Sequence, residues 1–233
     1  EYPEITYAPD GGPIDMKIET PNRVRLVQPV DKAGLLKEIT VALDETGTGV
    51  SLKHRITNER GQGIKIAPWA LTIMARGGEA VIPQEPYRSH DDYFLPARPL
   101  VLWHYTNLSD RRISAGPRYL RLKSIEGEKE PTKIGAGNKQ GWAAFACRNT
   151  LFVKQFPWKE GTEYPDCGCN CEFYTVGLFL EVESLGPLVN LEPGGSVEHD
   201  ERWWLFPGVD LGATEDSAAA ALKPVLDWIA RTV

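Results

Sequence analysis

Polar and apolar residues alternate with a period of two along most of this chain, the pattern of strands that bury one face. The alternation is clear at residues 24–28, 38–44 and 50–57, with Gly47 and Gly49 punctuating the turn before the third run. Asn58 to Gly61 reads as a turn. Residues 64–74 are strand-like, and Pro68 suits an edge or a bulge because proline cannot donate to a ladder. Residues 100–105, 119–122, 141–146 and 151–156 continue the series. The most informative stretch runs from Gly177 to Phe206 and reads as two alternating strands joined by a turn built on Pro193 and Gly194. It puts Glu181 and Glu183 on one side of the first strand.

Only two segments have helical character. Residues 214–232 carry an Ala-rich run with Leu222, Val225, Leu226 and Ile229 at helical spacing. Thr214 is placed as the N-cap, Glu215 and Asp216 sit at the positive end, and Pro224 predicts a kink or a split. Residues 109–113 make a short turn at most. The segment 82–99 holds no glycine and four prolines, Pro83, Pro86, Pro96 and Pro99, so it reads as a stiff loop long enough to cover a site. Regular short strands with Gly and Pro turns predict an all-β fold, a large antiparallel sandwich closed by a C-terminal helix.

Composition adds bounds. A chain of 233 residues fits one large β-sandwich, and 42% apolar with 25% charged residues is ordinary for a globular protein. A net charge of -6 argues against a nucleic-acid partner, which needs a basic surface. There is no run of eighteen apolar residues, so no membrane partner is expected. Self-association beyond a monomer or a weak homodimer is not expected either.

The chemistry-bearing groups are few. Paired carboxylates on one strand face are acid–base equipment in a cleft or a solvated surface. Cys167, Cys169 and Cys171 form C-x-C-x-C, not the C-x-x-C of common zinc sites, and no second cluster follows. Asp110, Arg111 and Arg112, with Arg118 and Arg121 after them, read as an ion-paired turn or as a clamp for a carboxylate. Of the four histidines, His54 falls on a core face, His199 falls in the last strand near Glu198 and Glu201 and is expected at the surface, and His104 follows Trp103. His90 lies in the proline-rich loop beside Asp91 and Asp92, a place for a binding residue.

The stretch Leu180-Glu181, then Leu191-Glu-Pro-Gly194, then His199 to Trp204 resembles the end of the galactose mutarotase-like superfamily, the aldose 1-epimerases and their relatives. Further marks are Ile56-Thr-Asn58, Ala67-Pro-Trp-Ala-Leu-Thr72, Leu102-Trp-His-Tyr-Thr-Asn-Leu-Ser-Asp-Arg111, Tyr164-Pro-Asp166 and Glu181-Val-Glu-Ser-Leu-Gly-Pro187, which are closest to an uncharacterised bacterial family within that superfamily. The likeness runs from about Tyr2 to Leu205. It implies one mutarotase-like β-sandwich over residues 1–233, lacking N-terminal strands that relatives carry.

By that resemblance Glu181 is the catalytic carboxylate, which takes a proton from an anomeric hydroxyl. The family's acid histidine has no counterpart: its place falls at Ala67-Pro-Trp69, where Trp69 offers a ring face for stacking on a pyranose. The Tyr-Pro-Asp-x-Gly-x-x-x-Glu pattern makes Asp166, Asn170 and Glu172 the functional part of the cysteine-bearing segment. With Glu183, Trp69 and His90 they are the expected lining of a sugar cleft. The implied function is carbohydrate binding or carbohydrate chemistry of an epimerase, hydrolase or lyase kind, with no cofactor. The alternatives are a non-catalytic sugar-binding module of a longer polypeptide and a metal-dependent protein using the Cys167–Cys171 cluster.

Overall fold

Alternation converts directly into layers. The computed structural model describes residues 4–7 and 11–232, so the start of the resemblance at Tyr2 lies outside the described residues. Ten antiparallel strands form one sheet in the order β1 (Asp15–Thr20), β2 (Arg23–Val27), β3 (Leu35–Leu43), β4 (Val50–Asn58), β17 (Ser196–Pro207), β13 (Thr150–Gln155), β12 (Trp142–Cys147), β7 (Glu79–Pro83), β10 (Tyr119–Lys123) and β9 (Ile113–Ala115). Five more form a second sheet, β6 (Trp69–Ala75), β15 (Phe179–Leu185), β14 (Cys171–Thr175), β11 (Thr132–Ala136) and β8 (Leu100–Leu102). A two-stranded ribbon, β5 (Ile64–Ile66) with β16 (Val189–Leu191), completes the pairing.

The main core lies between the two large sheets. Ala80, Ile82, Leu120, Leu122, Phe145 and Phe152 of the ten-stranded sheet meet Ile134, Ala136, Phe173, Leu180 and Val182 of the five-stranded one. The intervening residues point the other way. Val81, Leu151, Val153 and Trp204 pack against Ala218, Leu222, Val225 and Ile229 of the C-terminal helix, α2 (Glu215–Thr232). The Thr214 hydroxyl accepts the Ser217 N–H at 3.1 Å, as an N-cap does. Of the expected kink or split, the split does not occur: α2 is one continuous helix through Pro224. Pro224 lies on the solvent face, so the helix is held by the buried stripe on its other side.

Two further differences matter for the site. The run 64–74 breaks at Ala67 and Pro68 into β5 and β6, which belong to different sheets. The run 100–105 ends at Leu102, because the Thr106 N–H bonds the Trp103 carbonyl at 2.9 Å and turns the chain across the sheet. The turn at Glu192 to Gly195 forms as anticipated, with the Gly195 N–H on the Glu192 carbonyl at 2.8 Å and Gly194 at a φ of +76°.

Candidate functional site

On β15, Leu180 and Val182 fill the core, so Glu181 and Glu183 point to the outer face of the five-stranded sheet. Register assembles the rest of that face. Glu183 pairs with Glu172 on β14 and Leu71 on β6; Glu181 pairs with Tyr174 and Ile73. Across β14, Gly135 of β11 is opposite Glu172 and Lys133 is opposite Tyr174.

Lys133 gathers this face. Its Nζ lies 2.7 Å from Glu172 Oε2 and 2.9 Å from Glu183 Oε2. The same Glu183 oxygen accepts the Trp69 indole N–H at 2.6 Å. The ammonium stands 5.2 Å from the Trp69 ring centroid and 4.7 Å from that of Trp103, within cation–π range. Gly135 leaves room for this arrangement, since a Cβ there would stand 2.8 Å from Cys169 Sγ and 3.1 Å from the Trp103 ring. Tyr7 meets Trp69 edge-to-face at 5.8 Å. Glu172 and Glu183 are fully buried beneath these groups, whereas Glu181 is half-buried and Trp69 is 39% exposed. Leu71 and Ile73 leave apolar surface open beside Glu181.

Burial and charge set the protonation of the face. Burial alone would lower Lys133, but Glu183 and Glu172 outweigh it and hold the ammonium above its ordinary range. Burial pushes Glu172 up to about 9, assisted by the charge of Glu183 and opposed by Lys133. The two shifts agree in direction: near neutral pH Lys133 keeps its proton and Glu172 keeps one as well, which limits the charge buried here. Glu181 is raised to about 7, first by burial and then by the charge of Glu183. A carboxylate poised there exchanges protons at neutral pH. Tyr105 and Tyr174 are raised by burial and feel the same glutamates and Lys133.

Trp69, Glu172, Glu181 and Glu183 are thus brought together. Asp166 lies in the one-turn segment α1 (Pro165–Gly168) at a φ of 49°, near enough for its charge to act on Tyr7 and Glu172. Asn170 is fully buried and ties the chain: its Oδ1 accepts the Asn138 N–H at 2.6 Å and its Nδ2 donates to the Asn138 carbonyl at 3.0 Å. His90 is not brought to the group; its side chain is 89% exposed and lies 3.6 Å from Asp91 on its own loop.

His199, expected at the surface, is buried between the sheets. Its Nε2 lies 2.7 Å from Ser184 Oγ, close to Glu201 and Lys154. The arginine-rich segment is an ion-paired turn. Arg112 is buried with its Nη2 2.6 Å from Asp110 Oδ2, Arg121 pairs with Glu79, and Arg118 pairs with Asp216. Cys167 is exposed while Cys169 and Cys171 are buried. Burial raises both buried thiols, Cys171 to about 12, which opposes metal-binding thiolates. Among the described residues no group of three or more His, Cys, Asp or Glu side chains is placed to hold a metal ion.

Sequence reasoning missed Lys133, Trp103, Tyr105 and Tyr174 as members of the site. Lys133 carried one available signal: it is flanked by Thr132, Ile134 and Ala136 in an otherwise apolar short run, where a lone charge needs a buried partner.

No protein-family model matches the chain, and no curated protein matches it in sequence. Solved structures do match it. A galactose mutarotase-like protein from Lactobacillus casei superposes with a TM-score of 0.52 at 14% identity, over 83% of this chain and 73% of that one. A Synechocystis protein gives 0.52 at 13% identity, over 84% and 66%. A proposed aldose 1-epimerase from Klebsiella pneumoniae gives 0.51 at 13% identity, over 92% and 57%. This chain therefore spans between 57% and 73% of their lengths. Identities this low speak for backbone architecture, and the paired sheets described above agree with it: the fold of this chain is that of the galactose mutarotase-like superfamily.

Proposed function

We propose that the outer face of the five-stranded sheet binds a carbohydrate and that Glu181 takes a proton from one of its hydroxyls. The observation that carries this reading is Glu181 itself, a half-buried carboxylate raised to about 7, set beside exposed Trp69, Leu71 and Ile73. Sugars present apolar ring faces and hydroxyl edges, and a site with an indole next to a carboxylate serves both. The buried Lys133, Glu172 and Glu183 trio lies under the floor and fixes Trp69 through its indole N–H. The proteins of like fold named above support the sugar reading by analogy. A binding-only role is the second reading, favoured by Trp69 standing where the resemblance would put an acid histidine.

The test is a thermal-shift screen with mono- and oligosaccharides, followed by turnover assays. A ligand at about a hundred times its Kd adds roughly 2.7 kcal/mol of apparent stability. Glu181→Gln should abolish turnover and keep much of the binding if Glu181 moves a proton. Binding that weakens only modestly in the variant, with no sugar turned over by either form, supports the binding-only role. No shift with any saccharide sinks both.

A further inference from the structure

The charges on this face select among saccharides. Lys133 is consumed by Glu172 and Glu183, which approach it at 2.7 and 2.9 Å. It is also the cation whose field reaches Tyr105, Tyr174, Glu172 and Glu181 alike. Glu181 and Asp166 are left over: among the described residues neither has an ion-pair or hydrogen-bond partner, and neither is fully buried. Beneath them Glu183 Oε1 and Glu172 Oε1 are buried with no hydrogen-bond partner in this structure. The floor thus keeps a spare acceptor in Glu183 Oε1, and its own cation, Lys133, is committed. Indole rings beside it already hold one ammonium, that of Lys133, so the surroundings suit a cation.

Resting on the carbohydrate reading above, we infer that the ligand is a saccharide bearing a free, positively charged amino group, with the ammonium set against Glu181 and the pyranose face against Trp69. A uronic acid is the disfavoured class. Its carboxylate would meet the carboxylate of Glu181 with no free cation to receive it, because Lys133, the cation whose field reaches Glu181, is spent on Glu172 and Glu183.

Isothermal titration of the whole chain with galactosamine, galactose, N-acetylgalactosamine and galacturonic acid, and with the corresponding glucose series, tests this near neutral pH. The amino sugar of the preferred series should bind about fivefold or more tightly than its neutral parent at low ionic strength. N-acetylation should cancel that advantage, and added salt should shrink it. Glu181→Gln should cost the amino sugar more affinity than it costs the parent. Equal affinity for amino sugar and parent, or a uronic acid that binds as tightly as either, overturns the inference while leaving the carbohydrate site standing. Ethanolamine binding as tightly as the amino sugar overturns it too, since the ring would then contribute nothing. Silence from every saccharide removes the carbohydrate reading itself.

Discussion

Glu172 and Glu183 face each other in register across the β14–β15 ladder, both fully buried. Like charges directly opposite on a sheet destabilise it, and buried ones do so more. The pairing holds because Lys133 reaches diagonally from β11 to both carboxylates and because Glu172 keeps a proton near neutral pH. The trio joins three adjacent strands beneath the exposed face, so it sets the spacing of the strands that carry Glu181 and Trp69.

Removing the ammonium should therefore be far worse than neutralising Glu172. Lys133→Met is expected to cost about 3–5 kcal/mol, since it strands two buried carboxyl groups. Glu172→Gln, which retains a neutral polar group of the same shape, should cost about 1 kcal/mol or less. Urea unfolding followed by tryptophan fluorescence distinguishes them. Equal costs for the two variants would refute the protonated state of Glu172.

Glu181 has a pH signature of its own. Its ordinary value is 4.5 and the fold raises it to about 7, so the folded chain holds the proton more tightly than the unfolded one. The associated stability is present below 4.5 and is lost as pH rises through 7. Glu181→Gln should match the native chain in acid and exceed it in Tm above neutrality. A difference in Tm that does not change with pH would contradict the raised value.

Strands and faces were legible in the sequence because period two is a local property. Glu181 and Glu183 share an outward face as their spacing requires, and the Glu192–Gly195 turn forms where Pro193 and Gly194 put it. What an outward face meets is not local. His199 shares its side of β17 with Glu201 and Trp203, and charged neighbours suggested water. In the fold that side meets the second sheet, where Lys154 Nζ lies 2.7 Å from Glu201 Oε1 and donates to the Ala70 and Val182 carbonyls at 3.2 Å. The short run around Lys133 signalled a buried partner but not which one, because its partners come from β14 and β15, roughly forty and fifty residues later. Cross-strand partners at such separations leave no trace in a local pattern.

The network between the sheets predicts acid sensitivity in two windows. Burial lowers His199 from 6.5 to about 4, so the unfolded chain takes up a proton that the folded one refuses, and stability falls as pH drops from 6.5 towards 4. Burial opposes the charge of Glu201, but Lys154 and His54 outweigh it and hold the group at about 2, so a second loss follows as pH drops from 4.5 towards 2. His199→Gln should remove the first window, worth at most about 3 kcal/mol, and leave the second. Denaturant midpoints across the acid range read both. A stability difference between the native chain and His199→Gln that stays constant between pH 6.5 and 4 would contradict the buried neutral imidazole.

Pro224 tests how α2 is held. Inside a helix proline removes one backbone hydrogen bond and crowds the preceding turn, at a cost of about 3 kcal/mol in an isolated helix. Here the helix stays continuous because Leu222, Val225 and Ile229 are buried against the ten-stranded sheet around the proline. Pro224 is exposed, so replacing its ring opens no cavity. Pro224→Ala restores the bond and the propensity, while the freer unfolded chain offsets about 0.4–1 kcal/mol. The net expectation is a gain of about 2–2.5 kcal/mol, read as a higher Tm with no change in near-ultraviolet circular dichroism. A loss of stability instead would mean that the proline ring makes contacts that matter more than the missing hydrogen bond.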